Sequence, residues 1–477
     1  MNKISGLIVI LILAGCAGQS DPIAPASDTV TITVMGTTDV HGDLLPAPNK
    51  GGLASFSGYV EAMRAARADD GAVLLIDAGD MWQGTLESNL VEGASVVQAY
   101  NAMRYTAVTI GNHEFDFGPV GPNATPANDT EDPRGALKQR AIESEFPVLA
   151  ANIVNSETGE LIDWDNVSPS VMVEAAGIKV GIIGLVTANA LAVTATANTV
   201  GLEIAPLAEA AIREAEVLRA AGADIVIVTA HAGGGCTEFD DPTDLSSCHP
   251  NFEIMRVARD IPAGLIDHIV AGHTHNGMAH IVNGIAVTSA FSNTRAFDRV
   301  DFTVDRATGE ILERRIFPPQ LNCPAHNRET GACEWLERDP TIVEPPVYEG
   351  TVVQPTATVQ AIVDDAIART EALKQEPLGV TLEEPFLRDN TPESAIARLF
   401  TVAILEEVDA DISIHNTSGG IRADLQAGPL TYGDIYQISP FDNQVVILEM
   451  SGADLRRIIE AQAVSYTHLT LPTTSRV

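Results

Sequence analysis

Positive charge is scarce in this chain. Its 477 residues carry 28 lysines and arginines against 64 aspartates and glutamates, a formal net charge of −36. A surface of that sign repels nucleic-acid backbones and excludes a duplex as the main partner. A small phosphate-bearing substrate stays compatible with it, provided that metal ions or an arginine cluster reverse the sign locally. Elsewhere the acidity serves solubility.

Long apolar runs are missing too. The run Ile4 to Leu13 behind Lys3 is too short for a transmembrane helix and has the layout of a secretory signal. Leu13-Ala14-Gly15-Cys16 resembles a bacterial lipobox. That resemblance implies cleavage before Cys16, a lipid on its sulfur, and a membrane-anchored lipoprotein facing the periplasm or cell exterior. Residues 1–15 are then the signal peptide and 16–28 a small, polar tether. An ordinary cleaved signal is the plainer alternative.

Cysteine is rare, with five in all. Besides Cys16, four remain, and an even number in an exported chain points to disulfides. The local pairings, Cys236 with Cys248 and Cys323 with Cys333, close short polar loops and are favoured. Their spacing does not match the common zinc patterns.

What is present is an apolar fraction of 45%, enough for a sizeable core, in a length that suits two or three domains. One pattern recurs: an apolar, β-rich run ends in polar residues of the kind that bind metals. Thr29 to Val34 alternates like an edge or half-buried strand and runs into Asp39-Val-His41. Val73 to Ile76 leads to Asp77-Ala-Gly-Asp80, and Thr106 to Ile110 to Gly111-Asn-His-Glu-Phe-Asp116. Ile225 to Val228 leads to His231, and Ile266 to Val270 to Gly272-His-Thr-His275. Helices are predicted between them, most clearly over Leu207 to Ala221, behind Pro206 and ahead of Gly222. Strand ends along one sheet edge are where α/β proteins build sites. Pro119 to Pro133 reads as an inserted surface loop. Further on, a helix is expected over Val359 to Lys374, another over Glu393 to Glu407, a strand over Asp411 to His415 and a turn at Gly419-Gly420.

The candidate metal ligands are Asp39, His41, Asp80, Asn112, His231, His273 and His275. Mixed imidazole and carboxylate donors suit zinc, manganese, iron or cobalt and suit calcium poorly. A strand-end carboxylate such as Asp80 can bridge two ions, an arrangement used for in-line phosphoryl displacement. His113, beside Asn112, is offset toward a substrate and can support the phosphoryl oxygens or protonate the leaving group. Asp116 can hold its other nitrogen. Asp77 is expected to be structural, accepting backbone N–H bonds.

On these motifs the chain resembles the calcineurin-like metallophosphoesterase superfamily and, within it, bacterial 5′-nucleotidases and UDP-sugar hydrolases. The resemblance covers roughly residues 30 to 310 and resumes beyond 378. It implies a four-layer αββα sandwich followed by a smaller, incomplete α/β domain. It implies two divalent ions, one on Asp39, His41 and His275 and one on Asn112, His231 and His273, bridged by Asp80. His113 and Asp116 match the catalytic pair. In the second domain Ser418-Gly-Gly-Ile-Arg422 and Pro440-Phe-Asp-Asn443 match the nucleoside pocket, with Arg422 and Phe441 as substrate contacts and Arg388 a further arginine.

Two departures stand out. Thr417 occupies the place of the family's asparagine, and Asn416 sits one residue earlier. The tail from Ser465 to Val477 matches neither the family nor the composition of this chain and reads as non-native. The expected domains are therefore 29–340 (catalytic), 341–376 (linker and hinge helix), 377–464 (partial substrate domain) and 465–477 (tail). The expected function is a two-metal hydrolase of phosphate esters, most simply a 5′-nucleotidase with a nucleotide substrate, acting as a monomer outside the cytoplasm. UDP-sugars, 2′,3′-cyclic nucleotides and binding without turnover are the alternatives.

Overall fold

The structure, a computed structural model, describes residues 28–388, 394–443 and 445–464. The apolar N-terminal run, Cys16, residues 17–27 and the 465–477 tail lie outside them. Among the described residues no helix is long and apolar enough to cross a membrane.

The strand Thr29–Thr37 is the spine of the first sheet. It pairs in parallel with Gly71–Asp77 and antiparallel with Ala296–Asp305. Ala107–Thr109, Val148–Leu149 and Val167–Ser168 continue the parallel side. Of the edge or half-buried strand expected from its alternation, the edge is ruled out because both sides are paired, while Thr29 and Thr31 stay half-buried between buried Val30 and Ile32. Thr33 is fully buried and its hydroxyl donates to Asp301 Oδ1 at 2.8 Å. A polar face can be covered when its hydroxyls find acceptors, so alternation alone did not identify an edge.

The second sheet places Ile225–His231 between Ile178–Val186 and His268–Ala271, all parallel. Ile285–Ala290 continues it in parallel, and the hairpin strand Gly277–Val282 closes that edge. The sheets face each other through Val30, Ile32, Val34 and Ile76 on one side and Val180, Ile182, Ile225 and Ile227 on the other. Helices Gly52–Ala66, Ala94–Met103 and Ala357–Lys374 cover the outer face of the first sheet. Leu207–Ala220 and Glu253–Asp260 cover that of the second. The result is the four-layer αββα order. Helix Leu207–Ala220 shows why its sequence makes it: Leu207, Ala210, Ala211, Ala215 and Leu218 form one buried stripe at helical spacing. Gly222, at φ 91°, ends it in the left-handed conformation that favours glycine.

Both local disulfides form, Cys236–Cys248 and Cys323–Cys333. Residues 119–133 contain neither helix nor strand. The Ala357–Lys374 helix, capped by the Thr356 hydroxyl, buries Val359, Val363 and Ala366 against the first domain. Its last turn is tied down by a 2.7 Å ion pair between Lys374 and Glu87.

The second domain pairs Pro377–Leu382 with Gly428–Thr431 and places helix Ala395–Glu407 over a small core of Ile396, Ile421, Leu425, Leu430 and Ile438. The strand expected over Asp411–His415 does not form. No described segment pairs with it, and Ile412 and Ile414 stay exposed. A strand exists only through its neighbour, which local pattern cannot supply. Thr417–Gly420 makes a single helical turn where a glycine turn was expected.

Candidate metal centre and substrate groove

Each expected ligand sits at or just beyond the C-terminal end of a parallel strand, on the shared edge of the two sheets. Five of the seven adopt left-handed backbone: Asp39 (φ 49°), His41 (50°), Asp80 (56°), His273 (74°) and His275 (58°). For residues with a side chain this costs on the order of 1–3 kcal/mol each and persists only where the surroundings impose it. Here the turns at 39–42 and 79–81 impose it on one another. The N–H groups of Asp39, His41 and Gly42 donate to the carbonyls of Gly79, Asp80 and Met81, all at 2.9 Å.

The side chains converge in two clusters. In the first, His41 Nε2 lies 3.0 Å from His275 Nε2, and Asp39 Oδ1 lies 3.3 Å from His275 Nε2. In the second, His231 Nε2 lies 3.1 Å from Asp80 Oδ2, 3.1 Å from Asn112 Oδ1 and 3.2 Å from His273 Nδ1. Asp80 also groups with His41 and His113 within 4.8 Å, so it stands between the clusters. Second partners orient the rings: His41 Nδ1–H donates to the Gln83 carbonyl at 3.0 Å and His231 Nδ1–H to the Ala78 carbonyl at 2.8 Å. Each ring is left presenting Nε2 as a lone pair, the form that binds metals.

Such a donor set fits divalent cations. Ring nitrogens 3.0 and 3.2 Å apart are close enough to bind one ion at about 2.0–2.1 Å each. Asp39 Oδ1 is buried and makes no hydrogen bond among the described residues. Without an ion, burial opposes a charge on His231, but the Asp80 carboxylate prevails and raises it to about 10. His273 is pushed the other way, to about 4, by burial and by His231.

Two buried carboxylates orient the ligands. Asp77 Oδ1 accepts the Gly79 N–H at 2.8 Å, as expected, while Oδ2 takes the hydroxyls of Thr37 and Tyr100. Glu114 was not singled out from the sequence. It accepts the N–H groups of Asp80 (2.9 Å), Met81 (2.8 Å) and Gly111 (2.6 Å), clamping two ligand-bearing turns together. Its position inside Gly111-Asn-His-Glu-Phe-Asp116 was the available signal.

His113 Nδ1 is 2.5 Å from Asp116 Oδ2, and Asp116 Oδ1 accepts the Thr194 hydroxyl at 2.7 Å. Burial opposes a charge on His113, but Asp116 and Asp80 outweigh it and raise the ring to about 8. Its Nε2 faces Arg422 Nη2 of the second domain at 3.4 Å, and the Phe441 ring lies 5.7 Å from its own. These groups line a groove of about 2030 Å³ between the domains. Arg388 and Asn416 line it as well; the Arg388 N–H donates to Asp424, and Asn416 Oδ1 accepts the Gly419 N–H. Thr194, Gln83 and Asn89 also reach the groove and carried no sequence signal.

A family model for the calcineurin-like phosphoesterases matches residues 32–277, more than half of the chain. A second, for the 5′-nucleotidase C-terminal domain, matches residues 372–474 and so extends past residue 464, where the sequence pattern ends that domain. A 5′-nucleotidase of Vibrio cholerae is 24% identical over 95% of this chain and 80% of its own length. A cell wall protein of Listeria monocytogenes is 24% identical over 92% of this chain, which spans only 57% of that protein. The crystal structure of a 5′-nucleotidase precursor from Thermus thermophilus shares the fold, with a TM-score of 0.68 at 23% identity over 93% of this chain and 81% of that one. The chain belongs to the calcineurin-like phosphoesterases, metal-dependent phosphoester hydrolases, in the form that carries a 5′-nucleotidase C-terminal domain.

Proposed function

We propose that this metallophosphoesterase releases phosphate from nucleoside 5′-monophosphates outside the cytoplasm. The observation that carries the reading is the meeting of His113 with Arg422 and Phe441, at the mouth of the ligand clusters. A phosphate on the clusters would lie within reach of His113, and its nucleoside would extend along Phe441.

Asp39, His41 and His275 would hold one divalent ion, and Asn112, His231 and His273 a second, with Asp80 shared. When bound, two such ions supply Lewis acidity toward a phosphoryl oxygen and hydroxide near neutral pH. His113, kept charged by Asp116, would stabilise the phosphoryl oxygens and hand its Nε2 proton to the departing alcohol. Thr194 would keep Asp116 turned toward that ring. Arg422 would neutralise the anion from the opposite wall, and Phe441 would stack on the base. Arg388 and Asn416 would complete that wall. Cys16 would carry the lipid anchor of a monomer, and the likeness to a cell wall protein of Listeria supports an exported role.

The test is manganese- or zinc-dependent phosphate release from AMP, UDP-glucose and a 2′,3′-cyclic nucleotide, beside His113→Ala. AMP turned over fastest, and a loss of about 10²–10⁴ in the variant, is expected. No release from any substrate by metal-loaded protein would sink the enzyme reading and leave nucleotide binding without turnover.

A further inference from the structure

The turn from Gln83 to Asn89 belongs to the first domain, yet both of its amide side chains reach the second. Gln83 Nε2 donates to the backbone carbonyl of Pro440. Asn89 Nδ2 donates to the same carbonyl at 3.1 Å and to the Tyr436 hydroxyl at 2.8 Å. Asn89 is held from behind, its Oδ1 accepting the Gly84 N–H at 3.0 Å. Gln83 is buried, and its own backbone carbonyl accepts His41 Nδ1–H. Pro440 directly precedes Phe441, whose ring lies 5.7 Å from the His113 ring and 5.1 Å from the Arg422 guanidinium. A single turn therefore touches a candidate metal ligand through its backbone and the Phe441 segment through its side chains.

A carbonyl with two donors has both lone pairs in use, and its segment cannot shift without leaving those donors unmatched. We propose that Gln83 and Asn89 form an amide latch that holds Phe441 and Arg422 over the ligand clusters, and so sets the preference for nucleoside-bearing phosphates over small ones. They are positioning residues, acting through the Pro440 backbone. A small aryl phosphate needs only the clusters and His113, whereas a nucleotide also needs Phe441 in register. The substrate half of the proposal rests on the nucleotidase reading; the latch itself does not.

Two readouts on the full chain, in manganese, test it with Gln83→Ala/Asn89→Ala. The alanine keeps the Gln83 carbonyl, so the bond to His41 survives. Backbone hydrogen exchange over residues 432–443 is expected to quicken by about tenfold, the value of roughly one hydrogen bond; unchanged exchange overturns the latch. The ratio of kcat/KM for AMP to that for 4-nitrophenyl phosphate is expected to fall by about tenfold. Equal losses on both substrates, the mark of a general folding or metal defect, overturn the specificity role. Tyr436→Phe, which removes one hydroxyl and keeps the ring, should move both readouts the same way by a smaller factor. Absence of any effect in it, together with an unfolded double variant, also overturns the proposal. Should wild type ignore AMP while exchange still responds, the nucleotidase reading fails together with the specificity half, and the latch alone stands.

Discussion

Arg422 Nη2 stands 3.4 Å from His113 Nε2. Asp116 occupies the other nitrogen of that ring, and His113 is raised to about 8. Both groups can donate toward the same side of the groove, and an anion that accepts from the two of them would offset the repulsion of their positive charges. That pairing is the reason to expect a phosphate there.

Arg422→Ala should therefore lower kcat/KM for a nucleotide by about 10²–10³, the usual effect of deleting a positioned donor to a charged transition state. Arg422→Lys should recover only part of it, since the compact ammonium lacks the planar fork. Steady-state kinetics decide; a loss below about threefold in the alanine variant would remove Arg422 from the site.

Removal of metal should destabilise the first domain as well as inactivate it. Two clusters of uncompensated donors at close range lose a ligand that binds only the native state. A cation at a thousandfold excess over its Kd stabilises by about 4 kcal/mol. The expected outcome is a drop of several degrees in Tm on chelation, restored by manganese or zinc, with two ions per chain by elemental analysis. A Tm indifferent to chelator would count against the clusters as metal sites.

Glu114→Gln tests the clamp. The carboxylate accepts three N–H groups, and a carboxamide turns one acceptor into a donor against them. The expected loss is about 2–4 kcal/mol, and the Asp80 turn should loosen. Metal stoichiometry below two at a concentration that saturates wild type would report the second effect. Full occupancy and unchanged unfolding would show the clamp to be dispensable.

Asp298 gives the pH dependence away from the clusters. It is fully buried, and burial pushes its carboxyl up to about 7 from the ordinary 3.8. Between those values the folded state binds the proton that the unfolded state has released. Stability from this group is thus full below about pH 4, falls as the pH rises to 7, and is level above. Asp298→Asn removes the titration. As the pH rises through that window, wild type should lose stability relative to the variant by roughly 1.4 kcal/mol per pH unit. Denaturant unfolding on either side of the window checks this; parallel losses in the two proteins would refute it.

Much of the site was legible along the chain because its ligands are tied to strand ends. Apolar β-branched runs favour strands, parallel strands bring their C-terminal ends to one edge, and the polar residue that follows each run arrives at that edge. Asp39, Asp80, Asn112, His231 and His273 all arrive this way, and the motif around Asn112 brings His113 and Asp116 with them. Local disulfides were readable for a similar reason, since short loops limit the choice of partner.

Tertiary structure decided what depends on partners far away in sequence. Thr29–Thr37 became an interior strand because Gly71–Asp77 and Ala296–Asp305 pair with its two sides, the second bringing Asp301 to the Thr33 hydroxyl. Asp411–His415 stayed out of any sheet because no described neighbour pairs with it. Thr194, Gln83 and Asn89 have no periodicity or motif to announce them. Their roles arise only when Asp116, Pro440 and Tyr436 are brought to hydrogen-bonding distance. Side-chain period and local propensity act over a few residues, whereas a hydrogen bond is set by proximity in space, and only the packing of two sheets and a second domain establishes that proximity.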